Sequence, residues 1–148
     1  MRILGIDPGL ATVGFAIIEN KKILDLGAII TSKKEQLANR LYEIWQETEN
    51  IIQKHKPQKI AVEKLVFVQN VTSGIAVSHA RGIILALAAK YNLILEEIFP
   101  KDVKMRICGF GNAPKIQVQN MTTKVFNLKE IPKPDDIADA LAIAFASS

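Results

Sequence analysis

Two short apolar runs in this chain each end in a carboxylate, and that pattern limits the fold more than any other feature. Ile3-Leu4-Gly5-Ile6 ends in Asp7, and Ile60-Ala61-Val62 ends in Glu63. Both runs read as core strands. A third place repeats the oddity: Asp136 and Asp139 open the otherwise apolar stretch that runs from Ile137 to Ala144. An unpaired carboxylate is costly to bury, so acids fixed at the ends of core elements usually serve a cation or a proton.

The rest of the pattern places these acids. Strand-like runs cover residues 2–7, 13–19 and about 22–31. Asp7-Pro8-Gly9 reads as a turn, because Pro fixes φ and Gly tolerates positive φ. Asn20-Lys21-Lys22 is short enough for a hairpin, so the opening is antiparallel. Leu37, Leu41, Ile44, Trp45, Ile51 and Ile52 form a helical stripe that Pro57 closes. A strand at 59–63 follows, then a helix carrying Ala76, Ala80, Ile83, Ile84, Leu87 and Tyr91, then a strand from Leu93 to Phe99. A loop with Gly109, Gly111 and Pro114 precedes a helix carrying Val118, Met121, Val125 and Phe126. The last helix starts near Pro134-Asp135, with Asp135 as its N-cap.

The order β-β-β-α-β-α-β-α-α predicts an α/β fold in one domain over residues 1–148. Its mixed five-stranded sheet has three antiparallel and then two parallel strands, flanked by helices. In such a sheet the first and fourth strands lie side by side and parallel. Their carboxyl ends, and so Asp7 and Glu63, meet at the switch point where α/β sheets bind ligands.

Asp136 and Asp139 are three apart, so on a helix they share a face with Cβ atoms about 5–6 Å apart. Joined to Asp7 and Glu63 they make an oxygen-only donor set, which suits a hard divalent cation such as Mg²⁺. Two such ions about 3.5–4 Å apart clamp the attacking and leaving oxygens of a phosphodiester. Each acid also has a blander local reading. Asp7 can shape its turn, Glu63 can be a solvated strand end, and the two helical acids can answer the helix dipole. Four coincidences at one sheet edge favour the shared site.

The bulk numbers exclude other classes. Nearly half of the 148 residues are apolar, which rules out a disordered chain. No apolar run approaches the roughly 18 residues of a membrane span, and the start lacks the pattern of a signal peptide. A single cysteine, Cys108, cannot form an internal disulfide. An intracellular, cytoplasmic protein without a membrane partner is expected. The net charge of +4 is a weak pointer to polyanions that strengthens if four acids are gathered in one place.

Several segments together resemble the RuvC family. They are Ile3-Leu4-Gly5-Ile6-Asp7-Pro8-Gly9, Ile60-Ala61-Val62-Glu63, Ala80-Arg81-Gly82, Lys101-Asp102-Val103-Lys104 and the stretch from Asp136 to Ala144. Their order and spacing match over almost the whole chain. Members are crossover (Holliday) junction endodeoxyribonucleases with a ribonuclease-H-like fold. The resemblance implies Asp7, Glu63, Asp136 and Asp139 as catalytic, metal-binding acids. It implies two Mg²⁺ per site, replaceable by Mn²⁺, and a homodimer that makes paired symmetric nicks in four-way junction DNA. Those nicks leave 5′-phosphate and 3′-hydroxyl ends, in recombination and repair, with a branch-migration helicase complex as a further partner. Lys104 and Lys115 take the family's basic positions beside the scissile phosphate.

One departure concerns base contact. The position three beyond Glu63, often aromatic in the family, is Val66, and the adjacent Phe67 is the aromatic available for stacking on DNA. The apolar loop around them can meet unstacked bases, meet a partner subunit, or fold back on its own core. Other conspicuous residues have plainer readings: Cys108 an inert thiol, His79 a packing or surface group, Trp45 a core residue, Lys101 and Arg106 solvated charges. The small residues Ala76, Ala80, Gly82 and Ala86 permit close helix packing, against a second copy or within the chain. Two rival functions stay open: a ribonuclease-H-like nuclease acting on RNA or other branched nucleic acid, and an inactive junction-binding module.

Overall fold

The computed structural model describes residues 1–66 and 70–148. Five strands form one sheet: β1 (Arg2–Asp7), β2 (Thr12–Glu19), β3 (Lys22–Ile30), β4 (Lys59–Glu63) and β5 (Ile94–Ile98). Their order is β3-β2-β1-β4-β5. β1 pairs antiparallel with β2 and parallel with β4. β2 pairs antiparallel with β3, and β4 parallel with β5. The sheet therefore has the three-antiparallel, two-parallel form that the sequence predicts.

The centre of the sheet explains the unbroken apolar runs. Ile3 through Ile6 are all buried because β1 is covered on both faces. Alternate residues feed different cores, as the period of two demands. Leu4, Ile6, Ile17 and Ile60 pack with α1 (Leu37–His55) and α2 (Val71–Lys90). Ile3, Ala16, Ile18 and Ala61 pack with α3 (Pro100–Cys108), α4 (Lys115–Val125) and α5 (Asp136–Ala146).

α5 lies against the strands at a distance that only glycine allows. A Cβ on Gly5 would stand 2.4 Å from the Ala140 carbonyl oxygen, and one on Gly14 would stand 2.0 Å from that of Asp136. Gly14 is also the cross-strand partner of Asp7. The two glycines thus bring the start of α5 down onto the end of β1.

Several expectations are corrected. α3 is an additional helix, falling in a stretch with no predicted element. Asp135 is the N-cap residue of α5 as expected, but its side chain makes no capping hydrogen bond and pairs with Lys115 instead. Leu37 opens α1 on its exposed side. Trp45 is half-buried, packed against the core edge with the Lys90 ammonium 5.5 Å from its ring centroid. α2 is apolar and long enough by composition to cross a bilayer, with a mean hydropathy of 1.4, because Thr72, His79 and Arg81 are averaged away. In the fold its buried residues join those of α1 and the sheet in one core.

Candidate functional site

Parallel pairing of β1 and β4 sets Asp7 and Glu63 at neighbouring strand ends. α5, seated on Gly5 and Gly14, carries Asp139 to the same place. Asp7, Glu63 and Asp139 line one cleft of about 400 Å³, together with Lys104 of α3 and Lys115 of α4. Asp136 does not line it. Its backbone is pressed on Gly14, and its charge reaches Asp7 through the protein.

The acids disturb one another. Burial, and then the charges of Asp139, Asp136 and Glu63, push the Asp7 carboxyl from 3.8 up to about 8, with Lys115 opposing. Burial and Asp139 raise Glu63 as well, while Lys104 and Lys115 pull it back down. Among the described residues no three acidic, His or Cys side chains stand close enough to cage an ion as they are.

Lys115 relieves part of the repulsion. Its ammonium lies 2.8 Å from Asp139 Oδ2 and 2.9 Å from Asp135 Oδ2. Burial works against its charge, yet the hydrogen bonds to Asp139 and Asp135 hold its pKa well above the usual lysine value. The same contact lowers the Asp135 carboxyl. Gln119, buried one helical turn further along α4, points its amide at the same two carboxylates. Neither Asp135 nor Gln119 was identifiable as a site residue from the sequence. The signal available was two pairs at i,i+4 spacing, Lys115/Gln119 and Asp135/Asp139, on what the structure makes facing helices.

A second cavity of about 460 Å³ opens on the other side of Asp7 and Glu63 and is lined by Lys64, Leu65, Val66, Asn70 and Arg81. Val66 is exposed here. Phe67 lies outside the described residues. Lys64 stands 4.6 Å from the ring centroid of the exposed Phe99, so an aromatic and a basic group meet at this rim. Arg81, from the motif Ala80-Arg81-Gly82, pairs with Glu97 of β5.

The remaining singled-out residues fall elsewhere. Arg106 donates to the Ala146 carbonyl at the end of α5 and stands 3.6 Å from Glu96, so it braces a helix terminus rather than sitting free in solvent. Lys101 is exposed, His79 is exposed on α2, and burial raises the Cys108 thiol, as befits an inert group.

A sheet of order β3-β2-β1-β4-β5 with acids at the carboxyl ends of β1 and β4 and on the helix that crosses them defines a ribonuclease-H-like protein. Within that class the chain belongs to the RuvC family: the profile described as "Crossover junction endodeoxyribonuclease RuvC" matches residues 3–147. A crossover junction endodeoxyribonuclease RuvC from Halothermothrix orenii is 47% identical over 148 residues, covering 97% of this chain and 90% of that protein. The structure of T. thermophilus RuvC in complex with Holliday junction substrate superposes with a TM-score of 0.90 at 30% identity, over 99% of this chain and 92% of that one. The yeast mitochondrial Holliday junction resolvase Ydc2 shares the fold, with a TM-score of 0.68 at 18% identity over 98% of this chain and 78% of that one.

Proposed function

We propose that this chain resolves four-way DNA junctions as a divalent-metal-dependent endonuclease. The observation that carries the reading is the convergence of Asp7, Glu63 and Asp139 in one cleft, faced by Lys104 and Lys115. A binding protein gains nothing from acids gathered beside a polyanion, whereas a hydrolase needs them.

The donor set fits Mg²⁺ or Mn²⁺. It consists of carboxylate oxygens, and burial together with the charges of Asp139, Asp136 and Glu63 raises the pKa of Asp7, a penalty on its ionised form that a hard cation would offset. Asp7 and Glu63 from the strands and Asp139 from α5 would hold two ions, with Asp136, outside the cleft lining, drawn in as the fourth acid when they bind. When bound, these supply activation of the attacking water and neutralisation of the leaving oxygen. Lys104 and Lys115 bring positive charge to the phosphate whose oxygens gain charge during hydrolysis. The products are 5′-phosphate and 3′-hydroxyl ends. The role of base contact falls to Val66, exposed at the second cavity, or to Phe67, the next residue in sequence.

Paired symmetric nicks require two active sites, hence a homodimer. An exposed stripe on α2 supports it: Val71, Ile75 and Gly82 face outward, and nothing lies within 4 Å of a Cβ built on Gly82. A single domain, the cytoplasm as the place of action and a branch-migration helicase as partner complete the reading.

The test is cleavage of a labelled mobile four-way junction in Mg²⁺ beside fork, duplex and RNA–DNA controls, with Asp7→Asn in parallel. Symmetric nicking of the junction, lost in Asp7→Asn while binding survives, is the expected result. Preferential cutting of a control substrate would discard the junction assignment, and binding without cutting in either metal would discard the enzyme.

A further inference from the structure

We infer that Gln119 is a positioning residue, one that keeps the Asp139 carboxylate turned toward the cleft for the divalent metal. The inference rests on the metal-dependent reading above and adds a residue to it.

Lys115 and Gln119 lie one turn apart on α4, and Asp135 and Asp139 lie one turn apart on α5, so the helices meet as two facing pairs. All four cross-contacts are made. Lys115 reaches both acids at 2.8 and 2.9 Å, and Gln119 Nε2 reaches Asp135 Oδ2 at 3.4 Å and Asp139 Oδ1 at 3.5 Å. The two oxygens of Asp139 are therefore addressed separately: Oδ2 by the ammonium, Oδ1 by the amide.

Gln119 is only 5% exposed, so its amide cannot turn to bulk water for partners. Its orientation follows from chemistry, since both neighbours are ionisable carboxylates and accept rather than donate. A carboxylate held at one oxygen alone swings about its own axis. With Lys115 as sole partner, Asp139 would be held at Oδ2 alone, leaving Oδ1 free to rotate out of the position that Gln119 fixes. The amide, neutral and fixed by burial, opposes that rotation without adding a charge that competes with the metal. Groups that hydrogen-bond a metal ligand from behind act this way, and their loss commonly weakens metal affinity or activity about 10–100-fold.

The experiment compares wild type with Gln119→Met, which keeps the length of the side chain and removes the donor. Mn²⁺ binding to the free protein is measured without DNA. The Mg²⁺ dependence of junction cleavage and junction affinity in EDTA are measured alongside. The expected result is Mn²⁺ binding weakened about tenfold and a half-saturating Mg²⁺ concentration raised by the same factor. At saturating metal, kcat stays within about twofold of wild type, because the loss is one of binding rather than of the chemical step. Junction affinity in EDTA is unchanged. Unaltered Mn²⁺ binding in the variant overturns the inference, as does a fall in kcat at every metal concentration with the half-saturation point unmoved. A wild type that binds no Mn²⁺ overturns the metal-dependent reading and this inference with it, and is told apart by its own isotherm. Should Gln119→Met fail to fold, Gln119→Asn keeps the amide but withdraws it by one methylene from both carboxylates, and the same shift in metal requirement is expected.

Discussion

At Asp7, burial and the neighbouring charges of Asp139, Asp136 and Glu63 lift the carboxyl from 3.8 to about 8. Between those two values the folded, metal-free protein keeps a proton that the unfolded chain has released. The stability tied to Asp7 is therefore intact below about pH 4 and is lost as the pH rises toward 8. Asp7→Asn removes that loss together with the ligand. In EDTA the variant is expected to melt above wild type at pH 8, with the difference shrinking toward pH 5. Its cleavage should fall by more than about 100-fold, the most that loss of a merely orienting neighbour produces. Thermal melts from pH 5 to 9 and a single-turnover cleavage assay check both halves. Parallel melts for the two proteins would mean that the acids are not in conflict. Added Mg²⁺ should raise the wild-type midpoint at pH 8 and leave the variant nearly unmoved, since only the wild type has the full charge to neutralise.

At the scale of elements, the site depends on how closely α5 lies on β1 and β2. Gly14→Ala would drive a methyl group into the Asp136 carbonyl, 2.0 Å away, and that atom is helix backbone with little room to yield. Overpacking of this kind costs about 1–3 kcal/mol. In a domain of this size each kilocalorie lowers Tm by about 2–4 °C. The helix start should also lift from the end of β1, so cleavage falls further than stability alone explains. Differential scanning calorimetry with cleavage measured well below Tm separates the two, and unchanged activity in a destabilised variant would show that the helix seat does not matter. The strand-end acids were legible because Ile3–Ile6 and Ile60–Val62 are long enough to mark core strands and short enough to bring Asp7 and Glu63 to the same edge. α3 was not, because only Val103 and Ile107 of its nine residues are buried, too few for a periodic stripe. Asp135 does stand at the N-cap of α5, but the partner of its side chain was not legible for a related reason. A local rule assigns an acid before a helix to its cap, whereas here Lys115 from another element offers a stronger partner. The seat of α5 is likewise beyond a one-dimensional reading, since Gly5 and Gly14 look like ordinary strand glycines until the helix is laid on them.

For the whole molecule, the exposed apolar face of α2 bears on the proposed homodimer, in which two sites would act together. α2 is 20 residues long and apolar, yet only 28% of its apolar window is buried. Val71 is 71% exposed and Ile75 is 53% exposed, and both lie on the outward side along with Gly82. A helix this apolar is stable in water only if something covers that side. A second copy presenting the same stripe is the simplest cover, because an isologous pair needs just one self-complementary surface and Gly82 lets two backbones approach. Ile75→Asp is expected to weaken self-association at least about tenfold, the effect of roughly 1.4 kcal/mol at an interface residue. Sedimentation velocity over a concentration series measures it. Ile30→Asp serves as the control, since Ile30 is exposed on the edge strand β3, away from α2, and its loss should leave association untouched. On a four-way junction the dissociated variant should still cut, with its four acids in place, but its two nicks should arrive independently, so nicked junctions accumulate before resolved duplexes. A cruciform plasmid, which linearises only when both strands are cut during one binding event, reads this directly: wild type yields linear product and Ile75→Asp yields open circles. Equal linear product from both proteins, with association unchanged, would remove α2 from the interface and leave its apolar face to another partner.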